Sequence, residues 1–98
     1  MPFKLIFTIE ARRSFEKLQS ESACSKRFKA VTKALGHIQI NPKYPGLRTH
    51  KHSNFAKYIS QEVFQSYAEN HTPGAYRIFW HYGPEKSEIT ILSIEPHP

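Results

Sequence analysis

Between Glu62 and Glu95 three runs of strand-forming residues follow one another with almost nothing between them. They are EVFQSYAE (62–69), AYRIFWHY (75–82) and EITILSIE (88–95), separated by NHTPG and GPEKS. Aromatic and β-branched residues dominate the runs, and Pro and Gly mark the breaks. Connections this short join antiparallel neighbours, because a parallel pair needs a crossover of a dozen residues or more. The C-terminal part is therefore expected to be an antiparallel meander.

What precedes it must cover that sheet. FKLIFTIE (3–10) reads as a first strand. ARRSFEKLQS (11–20) places Ala11, Phe15 and Leu18 on one face of a short helix. After a break at ESAC, residues 25–41 carry Phe28, Val31, Leu35 and Ile38 at spacings of 3, 4 and 3. That is the buried stripe of an amphipathic helix, ended by Asn41-Pro42. Lys26, Lys29 and Lys33 form a line on a neighbouring face, which reads as solvated. The order is β-α-α-β-β-β. The two helices need a surface for their stripes, and one face of the sheet is the only large partner. We expect an α+β fold, two N-terminal helices on one face of a mainly antiparallel four-stranded sheet, in a single domain spanning residues 1–98.

The charge is unbalanced. Fourteen Lys+Arg against eight Asp+Glu give +6 in 98 residues, which favours an anionic partner. The surplus is concentrated in PKYPGLRTHKHSN (42–54), with Lys43, Arg48, His50, Lys51 and His52 and no carboxylate until Glu62. A hydrophobic fraction of 39% excludes a disordered chain. One cysteine, Cys24, forms no internal disulfide and reads as structural. No run approaches the roughly 20 apolar residues of a membrane span, and residues 1–13 lack the pattern of a signal peptide, so a cytoplasmic protein without membrane contact is expected. His50-x-His52 without a nearby Cys or acid does not close a zinc site, so neither metal nor cofactor is expected.

The third run also contains Arg77 and His81. Strand alternation puts Tyr76, Ile78, Trp80 and Tyr82 on one face, towards the helices. Arg77, Phe79 and His81 then share the open face. In the last run the same alternation groups Ile89, Ile91 and Ser93 against Thr90, Leu92 and Ile94.

With GAYRIFWHY and EITILSIEPHP, its element order, its length and its charge, the chain resembles the RelE/ParE superfamily of toxins from bacterial type II toxin–antitoxin systems. The resemblance implies one of two activities. RelE-like members are ribosome-dependent endoribonucleases that cut messenger RNA by attack of a ribose 2′-OH on the adjacent phosphorus. ParE-like members bind DNA gyrase and cut nothing. A third possibility is a relative without toxicity that only binds a partner. The resemblance further implies a cognate antitoxin, a toxin–antitoxin hetero-oligomer and, in the nuclease branch, messenger RNA on the ribosome. For catalysis it points to Arg77 as phosphate clamp, to His97 after the last strand, and to Arg48, Lys51 and His52 in the basic loop. For RNA contact it points to Lys43, His50, Lys57, Phe79 and His81, with Phe79 and Tyr67 as stacking surfaces.

Overall fold

A computed structural model of the chain describes residues 2–21, 25–52, 61–69 and 74–96. Cys24, Lys57 and His97 lie outside these residues. The elements are β1 (Lys4–Phe7), α1 (Ile9–Ser20), α2 (Ser25–Ile40), a short 3-10 turn (Pro45–Leu47), β2 (His50–Lys51), β3 (Phe64–Tyr67), β4 (Tyr76–Tyr82) and β5 (Glu88–Pro96). The five strands form one sheet in the order β1-β5-β4-β3-β2. The meander β3-β4-β5 is antiparallel as expected, while β1 runs parallel to β5. The α1–α2 segment is the crossover that lets β1 sit beyond the last strand.

The sheet thus has five strands, not four. The additional one, β2, is two residues long and pairs His50 with Gln65 and Lys51 with Phe64. Histidine and lysine carry no strand pattern, so only the edge of β3 makes them a strand.

The first strand is shorter than its composition suggests. Thr8 stops it by capping α1, its Oγ1 accepting from the Ala11 N–H at 3.1 Å. The same hydroxyl donates to the Leu92 carbonyl at 2.7 Å, and the Thr8 N–H donates to the Ile91 carbonyl at 3.1 Å. Ile9 and Glu10 consequently belong to the helix. Thr8→Val removes the cap and the only described hydroxyl on Leu92 O at nearly constant volume. We expect it to cost about 1–2 kcal/mol in urea denaturation. A loss near zero would mean that solvent already serves both groups.

The helix stripes are buried as their spacing requires. Ala11, Leu18, Val31, Ala34, Leu35 and Ile38 pack with Ile78, Trp80, Ile89, Ile91 and Ile94 of the sheet. Each fully buried aliphatic contributes about 1.5–3 kcal/mol. Phe15 and Phe28 flank this core, with ring centroids 5.1 Å apart. Lys26, Lys29 and Lys33 are exposed. In β4, Tyr76, Ile78 and Trp80 face the helices, whereas Tyr82 at the strand end is 40% exposed. Its ring leans on Phe3, Phe64 and Trp80, and partial burial holds its phenol above the usual tyrosine pKa.

Simple alternation fails in β5. Phe79 pairs with Ser93 but Trp80 pairs with Ile91, so Leu92 is an extra residue in the ladder. This bulge brings Ile91 and Ile94 to the same face and turns Ser93 to the other. The Leu92 carbonyl it releases is the one that Thr8 captures.

A chain of hydroxyls connects the core to the basic loop. The Trp80 indole N–H donates to Ser66 Oγ at 2.8 Å. Ser66 Oγ lies 2.6 Å from Thr49 Oγ1, and Thr49 donates to the Pro42 carbonyl at 3.3 Å. Thr49 has one proton and spends it on Pro42, so Ser66 donates to Thr49.

Candidate functional site

Sheet register assembles the site on the face away from the helices. Tyr67, Arg77 and Glu95 are cross-strand partners in one row, and His50, Gln65, Phe79 and Ser93 in the next. Side chains of one row stand about 5 Å apart and neighbouring rows about 7 Å, so groups distant in sequence meet here.

Arg77 is the centre. Its side chain is only 12% exposed and its guanidinium carbon lies 4.9 Å from the Phe79 ring centroid. One terminal nitrogen approaches Glu95 Oε1 at 3.9 Å, a long contact to a carboxylate that is itself 44% exposed. Among the described residues Nε has no hydrogen-bond partner, and neither has the Ser93 hydroxyl of the adjacent row. A guanidinium offers five N–H groups, and one distant carboxylate leaves most of its capacity for a further anion. Arg77 is thus a sheltered, half-neutralised cation, which its place in an alternating strand does not reveal.

The loop delivers a second arginine to the same row. Arg48 follows the 3-10 turn with φ 50, a left-handed conformation unusual for a residue with a Cβ. Its guanidinium carbon comes to 5.8 Å from the Tyr67 ring centroid. His50 tilts against the same ring, also at 5.8 Å, and its Nδ1 lies 3.3 Å from the Arg48 carbonyl. A carbonyl can only accept, so this contact is a hydrogen bond when Nδ1 carries a proton, the tautomer in which Nε2 can act as a base. Tyr67 is the anchor on which Arg48 and His50 converge beside Arg77.

Phe79 is a correction to its expected display on an open face. It is 1% exposed, and its cross-strand partners Gln65 and Ser93 are buried too. His52 meets its ring edge-on at 5.0 Å while Arg77 lies over it. Phe79 is floor, not a stacking surface, because no base can reach its face.

Other expected residues are separated from Arg77. His81 shares the face, but four residues along a strand is about 13 Å, and its Nδ1 is tied to the Tyr82 carbonyl at 2.8 Å. It cannot serve a phosphate that Arg77 holds. Lys51 pairs with Phe64, hence projects to the opposite face, and bridges Glu62 at 3.0 Å. Lys43 is exposed in the loop, its N–H held by Asn41 Oδ1. Glu95 and the anchoring role of Tyr67 could not be foreseen, since both follow from register. Among the described residues no three His, Cys, Asp or Glu side chains converge as a metal site, and no helix is long and apolar enough to cross a membrane.

The sequence matches no family model and no curated protein. Solved structures do match. A YoeB/ParE toxin from Agrobacterium tumefaciens has a TM-score of 0.67 at 10% identity, covering 98% of this chain and 100% of its own. The archaeal RelE–RelB complex from Pyrococcus horikoshii contributes a chain with a TM-score of 0.66 at 12% identity, covering 98% and 96%. A YoeB dimer from Staphylococcus aureus gives 0.66 at 14% identity, with complete coverage of both chains. Identity this low speaks for architecture alone, and the architecture agrees throughout: the chain has the RelE/ParE toxin fold.

Proposed function

We propose that this chain is the toxin of a type II toxin–antitoxin pair and cleaves messenger RNA on the ribosome. The observation that carries the proposal is the row Tyr67–Arg77–Glu95 with Arg48 and His50 against it, on a fold shared with RelE and YoeB toxins. In this reading the scissile phosphate displaces the long Glu95 contact and lies on the Arg77 guanidinium, whose planar fork suits two non-bridging oxygens. The ribose 2′-oxygen attacks phosphorus and the bond to the 5′-oxygen breaks. A histidine accepts the 2′ proton and a second acid returns one to the 5′-oxygen, leaving a 2′,3′-cyclic phosphate and a 5′-hydroxyl. His50 lies against Tyr67, the register partner of Arg77, and His52 meets the edge of the Phe79 ring that Arg77 covers; His50 is proposed as the base and His97 as the partner acid. Arg48 offsets charge that develops on the phosphorane oxygens. That a RelE of this fold is found with RelB supports a protein antitoxin as the partner.

Expression from a tightly controlled promoter with mapping of messenger ends tests this. Growth arrest with codon-phased cuts, lost in both Arg77→Ala and His97→Ala, is the expected result. Arrest that survives both substitutions and comes with DNA-damage signalling overturns it in favour of a gyrase-directed, ParE-like toxin.

Glu95 gives a further prediction. A long, half-exposed ion pair is worth about 0.2–1 kcal/mol, so Glu95→Gln should raise RNA affinity about 1.4- to fivefold by releasing Arg77. Filter binding of a ribosome-bound message reads this directly. Weaker binding would show that Glu95 positions Arg77 instead of competing for it.

A further inference from the structure

The basic loop holds an aromatic ring that the Arg77 site does not use. Tyr44 is 41% exposed, yet it is fixed in place. Its ring stacks on His37 of α2 with centroids 4.2 Å apart and planes within 7°. On the loop side a Cβ at Gly46 would lie 2.5 Å from Tyr44 Cε2, so only glycine leaves room for the ring in this position. The backbone is pinned as well: Tyr44 N–H donates to the Asn41 carbonyl at 2.9 Å and receives Leu47 N–H on its own carbonyl at 3.0 Å. Most of the entropy cost of holding an exposed ring has already been met by folding.

Tyr44 stands on a groove of about 680 Å³ between the loop and the β2 edge. Phe64 and Tyr82 supply apolar wall, Lys43, Arg48 and His50 supply cations or donors, and among the described residues no carboxylate lines it. The volume lies within the roughly 300–1,000 Å³ usual for bound small molecules. Lys51 also reaches the groove but is engaged by Glu62. Arg48 and His50 are the link. Both line the groove, and both contact Tyr67, the register partner of Arg77. The groove and the Arg77 row therefore connect around the sheet edge through two basic side chains.

We propose that this groove is a subsite for single-stranded nucleic acid, in which a base stacks on Tyr44 and the flanking phosphates follow Lys43, Arg48 and His50 towards Arg77. The inference deepens the proposed function and rests on it for the identity of the strand as RNA. A pinned flat ring in a groove lined by Lys43, Arg48 and His50 suits a polyanion with flat bases. An acidic peptide would use the cations and leave the ring without a purpose.

The probe is a 5′-fluorescein 2′-O-methyl adenosine decamer, which has no free 2′-OH and so is not cut by the proposed chemistry. Its anisotropy with wild-type protein should report binding that weakens with salt. Tyr44→Ala should weaken it about tenfold, the scale of one lost base stack, and Tyr44→Phe less than twofold. Lys43→Ala should make the dependence of log K on log salt shallower by about 0.7, one phosphate's share for a single strand. A Tyr44→Trp protein supplies a signal independent of the alanine variant's folding, since the decamer should quench the new indole. No wild-type binding, an unchanged Tyr44→Ala affinity, or an unquenched Tyr44→Trp overturns the subsite. So does a Tyr44→Ala protein that keeps the decamer but loses a co-expressed antitoxin, which would make the groove a protein site. Cleavage that depends on Arg77 with no effect at Tyr44 sinks the subsite alone. Stacking at Tyr44 without any Arg77-dependent cleavage sinks the nuclease reading and leaves the subsite standing.

Discussion

Arg77→Met is expected to lower messenger cleavage by about 10²–10³-fold, the usual loss when one preorganised stabiliser of a developing oxyanion is removed. Methionine is chosen because the arginine stem lies on Phe79 and is largely shielded, and a thioether chain fills similar space. The fold should not suffer. The pair with Glu95 is long and half-exposed, and such pairs contribute about 0–1 kcal/mol. Against that loss stands the removal of a buried Nε that has no described partner, a group whose desolvation costs about 1–3 kcal/mol. Arg77→Met should therefore melt at or slightly above the wild-type temperature while losing activity. Arg77→Lys keeps the charge but not the fork and should fall between the two. The measurement is single-turnover cleavage of a ribosome-bound message by purified protein. Activity of Arg77→Met within threefold of wild type would remove Arg77 from the chemistry.

Trp80→Ala should be the most damaging single truncation of the sheet. Trp80 is 1% exposed, stacks on Phe64 with centroids 4.8 Å apart and belongs to the helix-facing core. Truncating a buried Trp costs about 3–5 kcal/mol, a large share of the roughly 5–15 kcal/mol that holds a domain together. The loss would not stay in the core. Trp80 is the first donor in the chain through Ser66 and Thr49 to the Pro42 carbonyl, and so to the loop that carries Arg48. Trp80→Phe separates the two roles: it keeps most of the packing and removes one hydrogen bond, worth about 0.5–1.5 kcal/mol. Urea midpoints give both values. A Trp80→Ala loss below about 2 kcal/mol would mean that the core collapses around the missing ring.

Much of the fold is legible in the sequence because its signals are local. The stripe Phe28–Val31–Leu35–Ile38 predicts α2 and its buried face, since 3.6 residues per turn is a property of the helix alone. The NHTPG break signals a turn ahead of β4, where Gly74 has φ +69, and alternation assigns Ile78 and Trp80 to the core. Local signals also mislead where a distant group decides. Ile9 looks like strand until Thr8 finds Ala11 and Leu92. Ser93 and Ile94 change faces because Leu92 bulges, and nothing in EITILSIE marks which residue will be left over.

The site divides in the same way. Its ingredients, an arginine in a strand and a loop dense in Lys, Arg and His, were determined by the sequence alone, as was the excess of positive charge that favours an anionic partner. Which of them meet was decided only by the tertiary structure. Register set Tyr67 and Glu95 beside Arg77, the left-handed turn at Arg48 carried a second guanidinium to Tyr67, and pairing with Phe64 sent Lys51 to the other face. The physical reason is that strand pairing is non-local. A shift of one residue between two strands reverses which side chains share a face, and that choice is made by the packing of the whole sheet against its helices.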